Sequence, residues 1–180
     1  CIRARAQGVQ VVNRSFGGGQ YNPALEEAMT DSSMLFVASA GNARSDLTAA
    51  PVYPAAFDLP NLITVTSLNA DGGFSYYSNY SAELIDIAAR GRDVESTLPG
   101  SGWGPQSGTS MAAGFVSGAA GKVLSHNPPL TAGELQDRIL GTADRVEHLE
   151  NKVAGGRALS ARNAFWGEGA PEAQRWIVAE

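Results

Sequence analysis

Two short segments of the sequence carry residues able to do chemistry together. Gly108-Thr109-Ser110-Met111-Ala112-Ala113 places a serine at the start of an apolar, helix-forming run. In a helix's first turn a hydroxyl can stand exposed while free backbone N–H groups and the positive end of the macrodipole face an incoming anion. Ser39-Ala40-Gly41-Asn42 places a carboxamide just past an apolar run that reads as a strand. Ligands of open parallel sheets bind at that edge. A serine nucleophile and an amide donor aimed at a developing oxyanion are two of the parts acyl transfer needs. Taken singly, each has a plainer reading: Ser110 as a helix N-cap, Asn42 as a polar end to a strand. Ala112 stands where an α/β-hydrolase elbow needs glycine, and no Gly-Lys-Ser/Thr follows Gly17-Gly18-Gly19, so that elbow and a phosphate loop are set aside.

The elements that must position these residues follow from the pattern of apolar residues. Val9 to Asn13 is β-branched and continuous, which predicts a strand covered on both faces. Asn22-Pro23 supplies an N-cap and a proline for the first helical position, predicting a helix to about Thr30. Leu35 to Ala38 is a second buried strand that stops at Gly41-Asn42, completing a right-handed βαβ unit. Leu62 to Leu68 reads as a third strand, followed by a hairpin-like turn over Asn69 to Gly73, and Ile85 to Ala88 as a fourth. Ser110 to Ser125 has Met111, Phe115, Ala119 and Val123 at helical spacing and small apolar residues on its other sides, which predicts a helix buried all round. Thr131 and Glu134 form a capping box ahead of the Leu135/Ile139 stripe, and Ala164 to Trp166 closes the domain. The fold class is α/β, a three-layer, mostly parallel twisted sheet with helices on both faces. It occupies residues 1–166, with 167–180 as a tail or linker.

Composition bounds what such a domain can be. The chain has 180 residues, 43% of them hydrophobic, which suffices for one domain with a core. These values exclude disordered, collagen-like and coiled-coil classes. Thirteen Lys+Arg against 18 Asp+Glu, a net charge of −5, give no nucleic-acid or anionic-membrane footprint. No apolar run approaches the roughly 20 residues that span a bilayer. Cys1 has no internal disulfide partner, and no signal-peptide pattern is present. An opening Cys instead of Met reads as a piece of something longer.

Six segments, in order, carry a resemblance: Val12-Asn13-Arg14-Ser15-Phe16-Gly17-Gly18, Ala38-Ser39-Ala40-Gly41-Asn42, Tyr53-Pro54-Ala55, Phe74 to Tyr80, Asp86-Ile87-Ala88-Ala89 and Gly108 to Ala113. Together they resemble the subtilisin-like serine proteases (subtilases, peptidase S8), specifically the carboxyl-terminal part of the catalytic domain. The resemblance implies peptide-bond hydrolysis through an acyl-enzyme on Ser110, with Asn42 and the Ser110 N–H as oxyanion donors. It implies that Ser15, Phe16 and Gly17 line a cleft for an extended polypeptide substrate or inhibitor, with Ala40, Gly41 and Thr109 beside it. It implies a cis-proline turn at Tyr53-Pro54. No cofactor is required; the Ala55 and Phe57 carbonyls with the Asp86 carboxylate resemble a weak structural calcium or sodium site. Export from a bacterial cell is family habit, taken as analogy only.

The sequence also departs from that family. Its only histidines, His126 and His148, follow Ser110, and no Asp-Ser/Thr-Gly segment precedes Ser110. A subtilase triad runs Asp, His, Ser, so the base and its orienting carboxylate are absent from this chain. Gly114-Phe115 replaces the family's Pro-His, and Arg90 a usual Pro. A serine without its base is a poor nucleophile, so the isolated chain is expected to be inactive. Two other classes remain: a pseudoprotease acting as a peptide-binding or signalling module, and a structural half-domain completed by a missing N-terminal half or a second chain.

Overall fold

Short apolar runs separated by turn residues bury both faces most readily in a parallel sheet covered by helices. The computed structural model, which describes residues 2–167, has that arrangement. Its helices are α1 (Ile2–Ala6), α2 (Pro23–Thr30), α3 (Thr109–His126), α4 (Ala132–Gly141) and α5 (Ala161–Trp166). Its strands are β1 (Val11–Arg14), β2 (Leu35–Ser39), β3 (Leu62–Leu68), β4 (Ile87–Arg90), β5 (Val94–Leu98), β6 (Gly102–Gln106), β7 (Asp144–Arg145) and β8 (Arg157–Ala158). One sheet runs β1-β2-β3-β4-β8-β7, parallel except for the β8–β7 pair, while β5 and β6 form a separate antiparallel hairpin.

Alternate residues of the central strands point to opposite faces, giving two cores. On one face Leu35, Val37, Ile63, Val65 and Ile87 pack on α3 through Ala112, Ala113, Val116 and Ala120, and on Leu135 and Ile139 of α4. On the other, Phe36, Ala38, Leu62 and Ala88 meet Met29 of α2, with Leu47, Phe57, Ile85, Leu149 and Val153 from connecting segments. The helix starts form as their caps predict. Asn22 Oδ1 accepts from Leu25 N–H (3.0 Å), and Thr131 and Glu134 exchange capping-box bonds.

Three expectations are corrected. Strand β1 begins at Val11, not Val9, and is only half-buried, because only β2 pairs with it and its other edge is open. Strand β4 starts at Ile87, not Ile85: the Asp86 carboxylate accepts the Thr64 N–H (2.7 Å), taking a donor that strand pairing would use. Helix α3 is not buried all round. The sheet, α4 and α5 cover one side, while Gly114, Phe115, Gly118 and Gly121 stay exposed, with nothing within 4 Å of a Cβ built at any of these glycines. The β5–β6 hairpin went unread, since its turn depends on positive φ at Gly100 and Ser101. Residues 168–180 of the expected tail lie outside the described residues.

Candidate active site

The amino end of α3 meets the loop after β2. Gly108, at the N-cap position, has no side chain to cap the helix, and the cap comes from Asn42 instead: its Oδ1 accepts the Thr109 N–H (2.9 Å) and the Thr109 hydroxyl (3.1 Å). The Thr109 hydroxyl in turn accepts the Gly41 N–H (3.1 Å). Both donors fall on Oδ1 of this exposed side chain, and its Nδ2 lies against the N-cap glycine, 3.4 Å from a Cβ built at Gly108. Ser110 follows Thr109 directly, and in the first turn its backbone N–H has no intrahelical acceptor. Asn42 thereby caps the helix turn that carries Ser110.

The Ser110 hydroxyl is half-buried and donates to the Ser15 carbonyl (3.1 Å); the Ser15 hydroxyl donates back to the Ser110 carbonyl (3.0 Å). This reciprocal pair ties the loop after β1 to α3. A carbonyl accepts a hydrogen bond but does not take the proton, so the arrangement holds a serine without activating it. The two histidines lie elsewhere. His126 ends α3, and 16 residues at about 1.5 Å rise put it about 24 Å from Ser110. Its ring bonds Ser125 Oγ and packs edge-on against Phe165. His148 lies within hydrogen-bond distance of the Gly72 carbonyl (3.2 Å).

The remaining predicted residues divide. Phe16 is 64% exposed, and Gly17 passes so close to Tyr53 that a Cβ would stand 2.8 Å from its carbonyl oxygen. Gly41 has φ +100° and would place a Cβ 2.6 Å from Asn79 Nδ2, so only glycine fits. Ala40 and Thr109, expected beside the cleft, are fully buried. The Ala40 backbone is bonded to Val65 O and Asn79 Nδ2, and Thr109 is bonded to Asn42. Both position the loop and leave the cleft surface to Gly41 and Asn42. The peptide bond Tyr53-Pro54 is cis.

Asn79 is the residue whose role sequence reading missed. It lies within the Phe74 to Tyr80 segment, which assigned it no role, and its side chain is buried. Its Oδ1 accepts from Ala43 and Ser45 N–H (2.9 and 3.0 Å) and its Nδ2 donates to the Ala40 carbonyl (2.8 Å), which holds the loop that carries Asn42. Asn79→Ala removes three bonds. It is expected to lower unfolding free energy by about 3 kcal/mol, roughly 1 per bond, measured by urea denaturation. Tyr77 acts similarly from the other side. Its hydroxyl donates to Gly91 O (3.0 Å), and Gly91 O accepts the Gly108 N–H (2.8 Å).

Two of the three expected cation donors, the Ala55 carbonyl and the Asp86 carboxylate, meet at Thr64 of β3. Thr64 Oγ1 donates to the Ala55 carbonyl (2.8 Å) and Thr64 N–H to Asp86. Burial pushes the Asp86 carboxyl up to about 6; Asp58 repels it further, while the Thr64 N–H and Arg157 pull it down. A carboxylate and a carbonyl oxygen sharing one threonine are both oxygen donors, the ligand type that hard cations take. Among the described residues no three His, Cys, Asp or Glu gather into a richer metal site.

This fold and site have clear counterparts. The Subtilase family profile matches residues 1–164. Subtilisin amylosacchariticus from Bacillus subtilis subsp. amylosacchariticus is 34% identical over 160 residues, 87% of this chain and 40% of that protein. Thermitase from Thermoactinomyces vulgaris is 35% identical over 157 residues, 86% of this chain and 53% of that protein. Among solved structures, the A-subunit of the AB5 toxin from E. coli aligns with a TM-score of 0.75 and 30% identity, over 87% of this chain and 59% of that one. The chain belongs to the subtilase family of serine proteases. It spans between two fifths and three fifths of these relatives.

Proposed function

We propose that this chain is the nucleophile- and oxyanion-bearing portion of a subtilase endopeptidase, inactive or nearly so until other polypeptide supplies a histidine and an aspartate. The observation that supports the reading is the bonding of Asn42 Oδ1 to Thr109, which ties that carboxamide to the first turn of α3, the turn that carries Ser110. In this reading an extended peptide lies along Ser15, Phe16 and Gly17 and Ser110 attacks its carbonyl. Asn42 Nδ2 and Ser110 N–H take the oxyanion, and an incoming imidazole takes the hydroxyl proton now committed to Ser15. The open edge of β1 and the exposed Gly114-Phe115-Gly118 flank of α3 are where the completing polypeptide packs, because both present unpaired or uncovered surface next to the site. Treatment with a serine-directed fluorophosphonate tests it. Ser110 is expected to be labelled rapidly in the completed domain and not in its Ser110→Ala variant. Rapid stoichiometric labelling of the isolated chain refutes the claim of inactivity.

A structural ion belongs to the same proposal, since the chemistry itself needs no cofactor. The Ala55 and Phe57 carbonyls and Asp86 would hold calcium or sodium, which offsets the buried carboxylate. At a hundredfold excess over Kd such a ligand adds about 2.7 kcal/mol of stability. Calcium is therefore expected to raise the Tm by several degrees, and Asp86→Asn to remove that calcium-dependent increment. An equal increment in the variant would exclude this site.

A further inference from the structure

Three arginines stand at the carboxyl-terminal edge of the sheet around Ser110. Arg14 ends β1 and precedes Ser15, whose carbonyl holds the Ser110 hydroxyl. Arg44 lies two residues beyond Asn42, after β2, and has φ +57°, a left-handed conformation unusual for a non-glycine residue. Arg92 follows β4, next to Gly91, which bonds Gly108. Each is stacked on an aromatic ring. Arg14 lies 4.7 Å from the centroid of Phe16, and Arg44 and Arg92 lie 4.5 and 5.6 Å from that of Tyr76, itself 60% exposed.

Stacking fixes the plane of a guanidinium and leaves its donor edge available for a carboxylate. Arg92 has a nearby acid, Asp93, at 3.6 Å, but that pair is solvent-exposed. Neither the Arg14 nor the Arg44 side chain has a hydrogen bond or ion pair among the described residues. The Arg14 Nε is buried without a partner, and burial lowers its pKa from the ordinary guanidinium value, as for a cation lacking its counter-charge. In a chain of net charge −5, these three arginines gather at one edge of the sheet. Such a local field complements acidic ligands.

Building on the peptidase reading above, we propose that the cleft selects acidic polypeptide segments. Aspartate or glutamate side chains pair with Arg14 beside Ser15 and with the Arg44–Tyr76–Arg92 stack beyond Asn42. The test is fluorescence anisotropy with the 180-residue chain and labelled peptides that differ only in carrying Glu or Gln at alternate positions. The Glu peptide is expected to bind about tenfold more tightly, with the gap narrowing as salt rises. Arg44→Gln/Arg92→Gln removes two guanidinium groups and their stacking on Tyr76 and touches no core residue; it should cut the preference at least about threefold. Adding Arg14→Gln should abolish it. Equal binding of the two peptides overturns the inference, as does an undiminished preference in the double variant. Phosphonate labelling of the completed domain separates the two readings. Ser110 labelling with no charge preference removes only this inference, whereas absence of labelling removes the peptidase reading beneath it.

Discussion

Joined to an upstream subtilase segment that supplies the aspartate and histidine, the chain is expected to hydrolyse peptides about 10⁵- to 10⁶-fold faster than it does alone. The scale comes from subtilisin itself, the reference case within this family, where loss of the serine or the histidine costs about 2 × 10⁶ in kcat. The structural reason is local. Ser110 donates its proton to the Ser15 carbonyl, which cannot carry it away, and the nearer of the two ring systems to α3, His126, sits at the helix's far end. In the proposed reading the isolated chain retains only the oxyanion arrangement and a cleft wall, worth at most about 10³- to 10⁴-fold over water in subtilisin. Steady-state hydrolysis of a chromogenic peptide by the isolated and completed proteins, each with a Ser110→Ala control, measures the ratio. Rates within tenfold of each other would mean that the chain carries its own base, contrary to the placement of both histidines.

Replacing Asn42 by leucine in the completed domain should lower kcat about 10²- to 10³-fold while leaving KM and the pH profile nearly unchanged. Subtilisin is again the source of that range. The effect is specific to turnover because Nδ2 would meet charge that develops only in the transition state. The orientation of the carboxamide is not arbitrary: the Thr109 N–H and hydroxyl both require an acceptor, which assigns Oδ1 to them and frees Nδ2. Leucine also removes the cap on α3, so a stability loss of about 1 kcal/mol should accompany the loss of turnover. Thr109→Val keeps the backbone donor and loses only the hydroxyl; an intermediate fall in kcat is expected. A change in KM alone for Asn42→Leu would reassign the residue to substrate binding.

Local rules in the sequence account for the strand–helix–strand order and the caps on α2 and α4. Each of these depends on neighbours a few residues apart: apolar runs of strand or helix length between turn residues, Asn22 with Pro23, and Thr131 with Glu134. Such short-range rules survive in almost any tertiary context. Only the folded chain decided the rest. Whether the small residues of α3 are covered depends on which elements pack there, and Gly118 carries no sign of its own to distinguish a buried from an open flank. The Asn79 hub joins residues 34 to 39 positions apart, and the arginines that share Tyr76 come from separate loops. Contacts of that separation are set by the parallel sheet, which gathers the ends of β1, β2 and β4 at one edge. No pattern along the chain encodes that gathering before the crossovers have been made.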